Sequence, residues 1–554
     1  MNIRKMKIRN CYIVLSLLFF SATLSVSAQS ETDAFRLSQK ALSGTARYES
    51  LAGAFTALGG DLSAIAYNPA ATAVFRKSEF VYTMNTDSRD VRTSWYNQTN
   101  AKKKTDFHSG QVGYVASFFD KKKDYSFNFA FNMNQSYVYN RSVDISTRRP
   151  TEYSLADFTA KVTPDGFPQT DFFARSNYDP YVDGAASWLA ILGYQSGWTS
   201  ARKDDMGSYY TSAFEYYDAS AGRYLPYGPA NSLLRFSESG YTRDYDFSFG
   251  FNYRDILYTG FSFKYMYNRM NYRSEYNEQF PFDDYLNLKN ELSTRGDGFA
   301  FSLGLIALPV DGLRLGFALT TPTFYRFTDT YRAWGNSRYS QGLDKDGHLL
   351  PEKEWYYAAS TPADAYYVYN LMTPTRLSFG IAYTYKNLGL ISFDYELVPY
   401  GMMRISDDIG PFTLDNDAIS KHYKAAHTMR VGLEVKPISR LALRVGGLWQ
   451  TAPSRDVEGE NYTFPTAGPK VRTAGTIPHY EFKSGANAFT CGIGYHFTKC
   501  FYMDFAYVYS TQKSKVYPFP TYCDNNGNAI IKTPDPIRIN THSNKATLSF
   551  GINF

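Results

Sequence analysis

Apolar and polar residues alternate along much of this chain. In residues 126–134, SFNFAFNMN, phenylalanine or methionine at every second position alternates with serine, asparagine or alanine. A period of two predicts an extended strand with two chemically different faces. The chain is therefore predicted to be all-β. The same pattern returns at 245–253, 261–267, 377–383, 441–449 and 489–495.

These patterns predict fourteen strands joined by connections of two kinds. Short turns such as 120–124, 309–312 and 386–388 alternate with long polar segments, of which 141–240 is the longest. Outer-membrane barrels combine short periplasmic turns with long external loops, and barrel closure satisfies every backbone group inside lipid. We therefore predict a 14-stranded antiparallel transmembrane β-barrel over residues 78–554, because a soluble sandwich has no reason to collect its long loops at one end. The strands are placed near 78–86, 107–119, 125–140, 241–253, 257–272, 297–308, 313–325, 374–385, 389–403, 426–436, 440–450, 486–497, 500–512 and 541–554.

Composition and the end of the chain agree with a barrel. Aromatic residues make up 18% of the chain although its mean hydropathy is −0.39. Beyond the first 28 residues, no stretch approaches the roughly 20 apolar residues that a membrane helix needs. The chain ends in ATLSFGINF (546–554), which resembles the C-terminal signal by which bacterial barrels are recognised for insertion. We therefore expect outer-membrane lipid and the barrel-assembly machinery as partners.

The first 28 residues have the order of a secretory signal peptide. Four basic residues precede an apolar run at 11–24, and small residues lead to Ala28, near which cleavage is expected. The predicted location is the outer membrane of a Gram-negative bacterium. The chain has 58 basic and 52 acidic residues, and four of the basic ones belong to the leader, so the mature formal charge is about +2. This balance gives no reason to expect nucleic acid as a partner.

Residues 29–77 precede the first strand and differ from the rest of the chain. Their segment 54–75, AFTALGGDLSAIAYNPAATAVF, is rich in alanine and glycine. Asp61 is predicted to cap a short helix over 62–67, and Asn68 to cap a second turn that starts at Pro69. Short capped helices satisfy their own backbone groups, and small residues allow close backbone approach in a confined lumen. We predict a plug inside the barrel; the alternative is a small periplasmic helical lead-in.

Within this segment, residues 53–70, GAFTALGGDLSAIAYNPA, resemble the N-terminal hatch of the FadL/TodX/OmpP1 family of outer-membrane transport proteins. The triplet 68–70 stands where the NPA motif of that family falls. The resemblance implies a 14-stranded barrel plugged by the hatch, which takes up long-chain fatty acid-like or aromatic molecules by hatch-gated passive diffusion. Later segments that also look like the family are 313–325, 373–383, 429–449 and 501–509. The resemblance implies gating or ligand-binding roles for the hatch residues Phe55, Gly59, Gly60, Asp61, Asn68, Pro69 and Ala70.

Two features are not covered by the resemblance. The external segment 141–240 contains a short apolar helix candidate within 182–198, with Trp188, Leu189, Ile191 and Leu192. These side chains form either a ligand-collecting surface or, as we favour, part of a small core within the loop itself. The third strand, 125–140, contains neither glycine nor proline, so no kink that would open the wall is predicted from it.

Other functions find little support in the sequence. No G-x-S-x-G or H-E-x-x-H motif is present, and the three cysteines after the leader have neither disulfide nor zinc spacing. We therefore expect no enzymatic activity, no cofactor and no metal. The alternative on the same fold is an interaction or shuttle protein in secretion or surface attachment, because long tyrosine-rich loops such as 204–227 suit protein or glycan contact.

Overall fold

A computed structural model describes residues 30–118, 124–204, 207–218, 223–226, 228–339, 355–363, 365–386, 388–458 and 467–554. The predicted signal peptide lies outside these residues, as does most of the predicted turn 120–124. Within the described residues, fourteen strands form a closed antiparallel barrel, which confirms the predicted fold class. The strands are β1 (Glu79–Trp95), β2 (Gln98–Phe118), β3 (Tyr125–Thr147), β4 (Asn231–Tyr253), β5 (Leu257–Gln279), β6 (Tyr285–Val310), β7 (Leu313–Thr320 and Phe324–Tyr339), β8 (Tyr366–Met372 and Arg376–Tyr385), β9 (Gly389–Pro399), β10 (Ala425–Ile438), β11 (Leu441–Gln450), β12 (Tyr480–His496), β13 (Phe501–Tyr517) and β14 (Ile537–Asn553).

The first and last strands close the barrel, and two strands in the middle are interrupted. β1 pairs with β14 along its length, from Glu79 opposite Asn553 outward. The breaks in β7 and β8 contain Pro322 and Pro374, which have no N–H to donate to a ladder. There the Thr373 N–H donates to the carbonyl of Thr323 at 3.0 Å, so the two breaks bond to each other.

Several strands extend further outward than the alternation predicts. β1 and β2 continue to a tight hairpin, and β5 and β6 to a short connection, so most of residues 87–106 and 273–296 is strand rather than long external loop. The predicted strict alternation of short and long connections is therefore wrong at these two places. In β5 and β6 the reason is that outside the membrane the inward face becomes the apolar one: Tyr276 and Leu288 are buried inward, while their neighbours on the outward face are polar.

The barrel wall presents an apolar belt to its surroundings. Large hydrophobic side chains on the outward face are exposed on strands all round the barrel, and tyrosine and tryptophan accompany them near the edges of the belt. This combination is typical of the lipid-facing surface of an outer-membrane barrel. Examples are Phe249, Phe263, Leu305, Ile381, Ile391, Leu433, Leu443, Ile493 and Phe505, with Tyr253, Tyr265, Tyr383, Trp449 and Tyr507. Separately, no helix in the described part of the chain is long and apolar enough to cross a membrane.

The residues before β1 lie in the lumen, and we refer to residues 30–77 as the hatch. They form α1 (Glu31–Leu37), α2 (Ala46–Ser50) and two short 3₁₀ helices, Ala64–Ala66 and Pro69–Val74. Most hatch side chains between 48 and 73 are buried, although hardly any belongs to a long regular element. The barrel wall therefore supplies the core that the hatch could not form alone.

The longest external connection runs from 148 to 230 and folds into a small unit of its own. It contains α3 (Leu155–Val162), α4 (Pro180–Asp183) and α5 (Trp188–Gln195), followed by a hairpin of Thr199–Asp204 and Gly207–Ser212. The unit docks on the barrel rim, where the Phe158 and Phe519 rings stack with centroids 5.8 Å apart. Elsewhere on the outer side, α6 (Thr413–His422) follows β9.

Candidate functional site

Two polar side chains join separate parts of the hatch. Thr45 accepts the N–H of Tyr48 at the start of α2, and its hydroxyl donates to the Asp61 carboxylate at 2.8 Å. Asp61 also accepts the N–H of Ser63 at 2.8 Å, just before the first 3₁₀ helix. Burial raises the pKa of Asp61, although the nearby guanidinium of Arg47 opposes this shift. Asp61 therefore orders the turn and ties it to α2. The predicted cap of a helix over 62–67 is wrong in detail, because the helix is only Ala64–Ala66, Ser63 holds its N-cap position and no side chain caps it.

Asn68 connects the hatch to the barrel wall. Its Oδ1 accepts the N–H of Ala70 at 3.0 Å, and Pro69 opens the helix Pro69–Val74, so the predicted cap is confirmed. Its Nδ2 donates to the carbonyl of Thr56 at 2.6 Å and to that of Leu305, on β6, at 3.3 Å. Because the side chain is fully buried, losing these partners would leave a polar group unsatisfied.

Eight inward-facing glycines surround the hatch at one level of the barrel, and we call them the glycine girdle. A Cβ built on any of them would lie less than 3.0 Å from an atom of the hatch. At Gly304 the clash would involve the Asn68 side chain and the backbone nitrogen of Ala70, which is 2.7 Å away. The girdle therefore lets the hatch backbone pack directly on the backbone of the wall. Its members are Gly250, Gly260, Gly304, Gly316, Gly380, Gly432, Gly446 and Gly492.

The remaining predicted hatch residues shape the same packed layer. Gly59 and Gly60 have φ angles of 61° and 63°, in the left-handed region that favours glycine. The carbonyl of Gly60 accepts a hydrogen bond from Arg47 at 2.8 Å, and the Arg47 guanidinium carbon lies 5.3 Å from the centre of the Phe55 ring. None of the seven predicted hatch residues lines the lumen cavity that is described below.

Buried ion pairs also hold the hatch against the wall. Glu49 accepts from Lys545 and from the Thr547 hydroxyl, each at 2.6 Å. Lys40 contacts Asp244 at 2.7 Å on the other side of the lumen. Removing one partner of a buried pair costs about 3–5 kcal/mol, because the other charge stays buried. Displacement of the whole hatch would therefore break many contacts at once.

A cavity of about 230 Å³ lies on the outer side of this packed layer. Its floor includes hatch residues 39–43, and its walls come from β1 to β3 and from β8 to β14. Its lining is amphipathic: five basic side chains outnumber two acidic ones, and aromatic and aliphatic side chains fill the spaces between them. The basic residues are Lys40, Arg89, Arg376, Arg430 and Lys545; the acidic residues are Asp87 and Glu396; apolar residues include Phe35, Leu42, Tyr67, Tyr137, Val138, Leu448 and Val508.

The wall beside the cavity is interrupted between β2 and β3. Their ladder begins at the periplasmic side and ends at Gln111 opposite Asn134, although both strands continue outward. Just beyond this point the register of β3 against β4 shifts around Ser136. The carbonyl of Ser136 accepts the N–H of Ala41 at 2.9 Å, so the hatch uses a backbone group at this irregularity.

The predicted external helix is present as α5, and it is mostly buried. Leu189 and Leu192 join the large apolar cluster of the outer lumen, whereas Ile191 joins the separate core of the external unit. Trp188 is half-buried, and its Nε1 donates to the carbonyl of Tyr181 at 2.9 Å. This arrangement supports packing as the role of the helix, since its aliphatic side chains do not form a surface.

Sequence patterns did not reveal the charged lining of the cavity. Arg376 and Arg430 both contact Glu396, and the three residues come from different strands. Glu396 and Arg430 lie at inward positions between outward apolar or aromatic residues, which is the only signal that the sequence offers for them. The shift at Ser136 has no glycine or proline to mark it.

Comparisons with known proteins give matches only at the level of structure. No family model matches the chain, and no curated protein does. A FadL homologue from Pseudomonas aeruginosa is 12% identical, with a TM-score of 0.47 and coverage of 93% of this chain and 99% of its own. The toluene transporter TodX of P. putida is 12% identical, with the same coverages and a TM-score of 0.48. The toluene transporter TbuX of Ralstonia pickettii is 12% identical, with a TM-score of 0.44 and coverage of 93% and 99%.

Proposed function

We propose that this protein takes up hydrophobic small molecules, of the long-chain fatty acid or aromatic type, across the outer membrane by hatch-gated passive diffusion. The observation that carries the proposal is an amphipathic cavity on the outer side of a layer that fills the barrel lumen. A water-filled pore would give an apolar solute no favourable path, because exposure to water costs roughly 25 cal/mol per Å² of apolar area. The resemblance of residues 53–70 to the FadL/TodX/OmpP1 hatch supports the same role.

The lining of the cavity favours a ligand with an apolar body and an anionic end. Lys40 and Lys545 are neutralised by Asp244 and Glu49, and Arg89 by Asp87. The excess positive charge of the cavity comes from Arg376 and Arg430, which share the single carboxylate of Glu396. Arginine guanidinium groups match the geometry of a carboxylate and can bind it through two parallel hydrogen bonds. Among the proposed ligands, a long-chain fatty acid therefore fits better than a neutral hydrocarbon.

The gate in this proposal is the outer part of the hatch and not the whole hatch. Residues 39–43 line the cavity, whereas residues 50–73 are held by the glycine girdle. A ligand that fills the cavity would contact residues 39–43. It would shift these residues only if it binds their displaced conformation more tightly than the docked one. The end of the β2–β3 ladder, next to Gln135 in the cavity wall, is the exit that we propose.

Mass spectrometry of small molecules extracted from the purified barrel tests the function. We expect a fatty acid-like molecule in the wild-type protein, and less of it after Arg430→Met, which removes one cavity guanidinium. A barrel that carries no such molecule, and that co-purifies instead with a stable protein partner, would favour the interaction or shuttle role and contradict the proposal.

A further inference from the structure

Three arginines form a cluster on the outward face of the barrel. Arg269 on β5 lies directly opposite Arg295 on β6 and, on its other side, opposite Tyr241 on β4. The guanidinium carbon of Arg243 lies 4.1 Å from the centre of the Tyr241 ring. Residues directly opposite in an antiparallel sheet have Cβ atoms about 4.5–5.5 Å apart, and like charges in that relation are destabilising. We call Arg243, Arg269 and Arg295 the arginine cluster.

Further out on the same face an arginine is neutralised by a carboxylate, but the arginines of this row are not. Two rows further out, Arg273 lies opposite Glu291 and contacts it at 3.2 Å. In the described residues, neither Arg269 nor Arg295 has a carboxylate within 4.0 Å. Two other charged groups lie nearby. Among the described residues, Asp297 makes no ion pair within 4.0 Å. Arg326 is paired with Asp408 at 2.9 Å.

The cluster lies at the outer boundary of the apolar belt. On the membrane side of it, Tyr245 and Tyr265 are adjacent, with ring centroids 5.9 Å apart. Below them the outward face is covered by phenylalanine, including the contacting rings of Phe247 and Phe263. Tyrosine marks the membrane–water interface in barrels, so the arginines lie at the height of the outer lipid headgroups. An anion at this height is most simply part of a lipid.

We propose that the arginine cluster binds a phosphate group of an outer-leaflet lipid headgroup, while the acyl chains of that lipid lie on the phenylalanine-covered wall. A phosphate between Arg269 and Arg295 replaces their mutual repulsion by charge-assisted hydrogen bonds, for which guanidinium groups are well suited. The apolar face below the cluster satisfies the rest of the same ligand. This site lies on the outside of the barrel and does not depend on the proposed transport function.

The test uses the purified full-length barrel in neutral detergent, titrated with bis-phosphorylated lipid A and followed by native mass spectrometry. The same lipid with its phosphates removed, and inorganic phosphate, serve as the other two arms. We expect the phosphorylated lipid to bind at least about tenfold more tightly than the dephosphorylated one. Inorganic phosphate is expected to compete only weakly, because it lacks the acyl chains.

Two variants locate the binding. Arg295→Glu places a carboxylate opposite Arg269, as Glu291 is opposite Arg273, so the barrel is expected to fold and to lose the preference for phosphorylated lipid. Arg273→Gln removes an arginine of the same face that already has a partner, and it is expected to leave binding unchanged. Heat-dependent electrophoretic mobility checks that each barrel is folded. Equal binding of both lipids, unchanged binding after Arg295→Glu, or inorganic phosphate binding as tightly as the lipid would overturn the proposal.

Discussion

Replacing Gly304 by alanine tests whether the glycine girdle holds the hatch. The added Cβ would lie 2.7 Å from the backbone nitrogen of Ala70 and closer still to the Asn68 side chain. Because a backbone atom is involved, a rotamer change cannot relieve the clash, and the hatch itself must move. Overpacking of this kind typically costs about 1–3 kcal/mol.

The displacement also affects the hydrogen bonds of Asn68. Its Nδ2 donates to the carbonyls of Thr56 and Leu305 at 2.6 and 3.3 Å, and each such bond contributes roughly 0.5–1.5 kcal/mol. Together with the clash, we expect the docked hatch to lose about 2–4 kcal/mol relative to a displaced hatch. Since 1.4 kcal/mol is a factor of ten, the displaced population should rise about 30- to 1,000-fold.

Hydrogen exchange measured by mass spectrometry on peptides from residues 50–75 reports this population directly. We expect faster exchange there in Gly304→Ala, with the barrel strands protected as before, and a larger ion conductance in planar bilayers. The matched control is Gly447→Ala, since the added Cβ would meet only the far edge of the Trp449 ring on the outward side. If peptides 50–75 exchanged as slowly in Gly304→Ala as in the wild type and in Gly447→Ala, the glycine girdle would not be what holds the hatch.

Three further predictions concern the cap, the cavity and the external unit. Asn68→Ala should destabilise the docked hatch by about 1–3 kcal/mol, seen as faster exchange of the same peptides. Asn68→Asp keeps the cap but turns a carboxylate oxygen toward the carbonyls of Thr56 and Leu305, so at neutral pH it should destabilise the hatch at least as much. Val508→Trp, at an inward position of the cavity, should lower fatty acid uptake several-fold in whole cells, while Tyr507→Trp on the lipid-facing side of the same strand should not. Burial raises the pKa of Asp157 in the external unit to about 7, with Glu215 nearby adding to the shift. The protonated carboxyl therefore stabilises the folded unit at low pH, and this contribution is lost as the pH rises through about 7. Limited proteolysis of the unit should be faster near pH 8 than near pH 5. In Asp157→Asn the rate of proteolysis should depend much less on pH.

The barrel and the caps could be predicted from the sequence because their signals are local. Period-two alternation marks a strand wherever one face meets lipid, and Asn68 before Pro69 has the residue types that begin a helix. The outer ends of β5 and β6 were missed because Tyr276 and Leu288 are buried on the inward face there, which reverses the polarity that marks the membrane-spanning part. A local pattern detects a strand only while its environment stays the same.

The cavity and the glycine girdle could not be predicted, because they depend on which distant residues meet. Glycine in a strand also occurs at bulges and bends, so Gly304 and Gly316 carry no distinct signal until the hatch is seen against them. Arg376 and Arg430 surround Glu396 only after three strands have paired in register. The composition of the hatch indicated that it fills the lumen, but it did not indicate that the cavity would lie beside residues 39–43.

Uptake of a labelled long-chain fatty acid by whole cells tests the central claim most directly. A strain that lacks the gene is compared with the same strain carrying the wild-type gene or the Val508→Trp variant, each at matched surface level. The proposed function predicts that the wild-type gene restores uptake and that the variant, with its cavity partly filled, restores much less. Uptake that is as fast in the deletion strain as in its parent would contradict it.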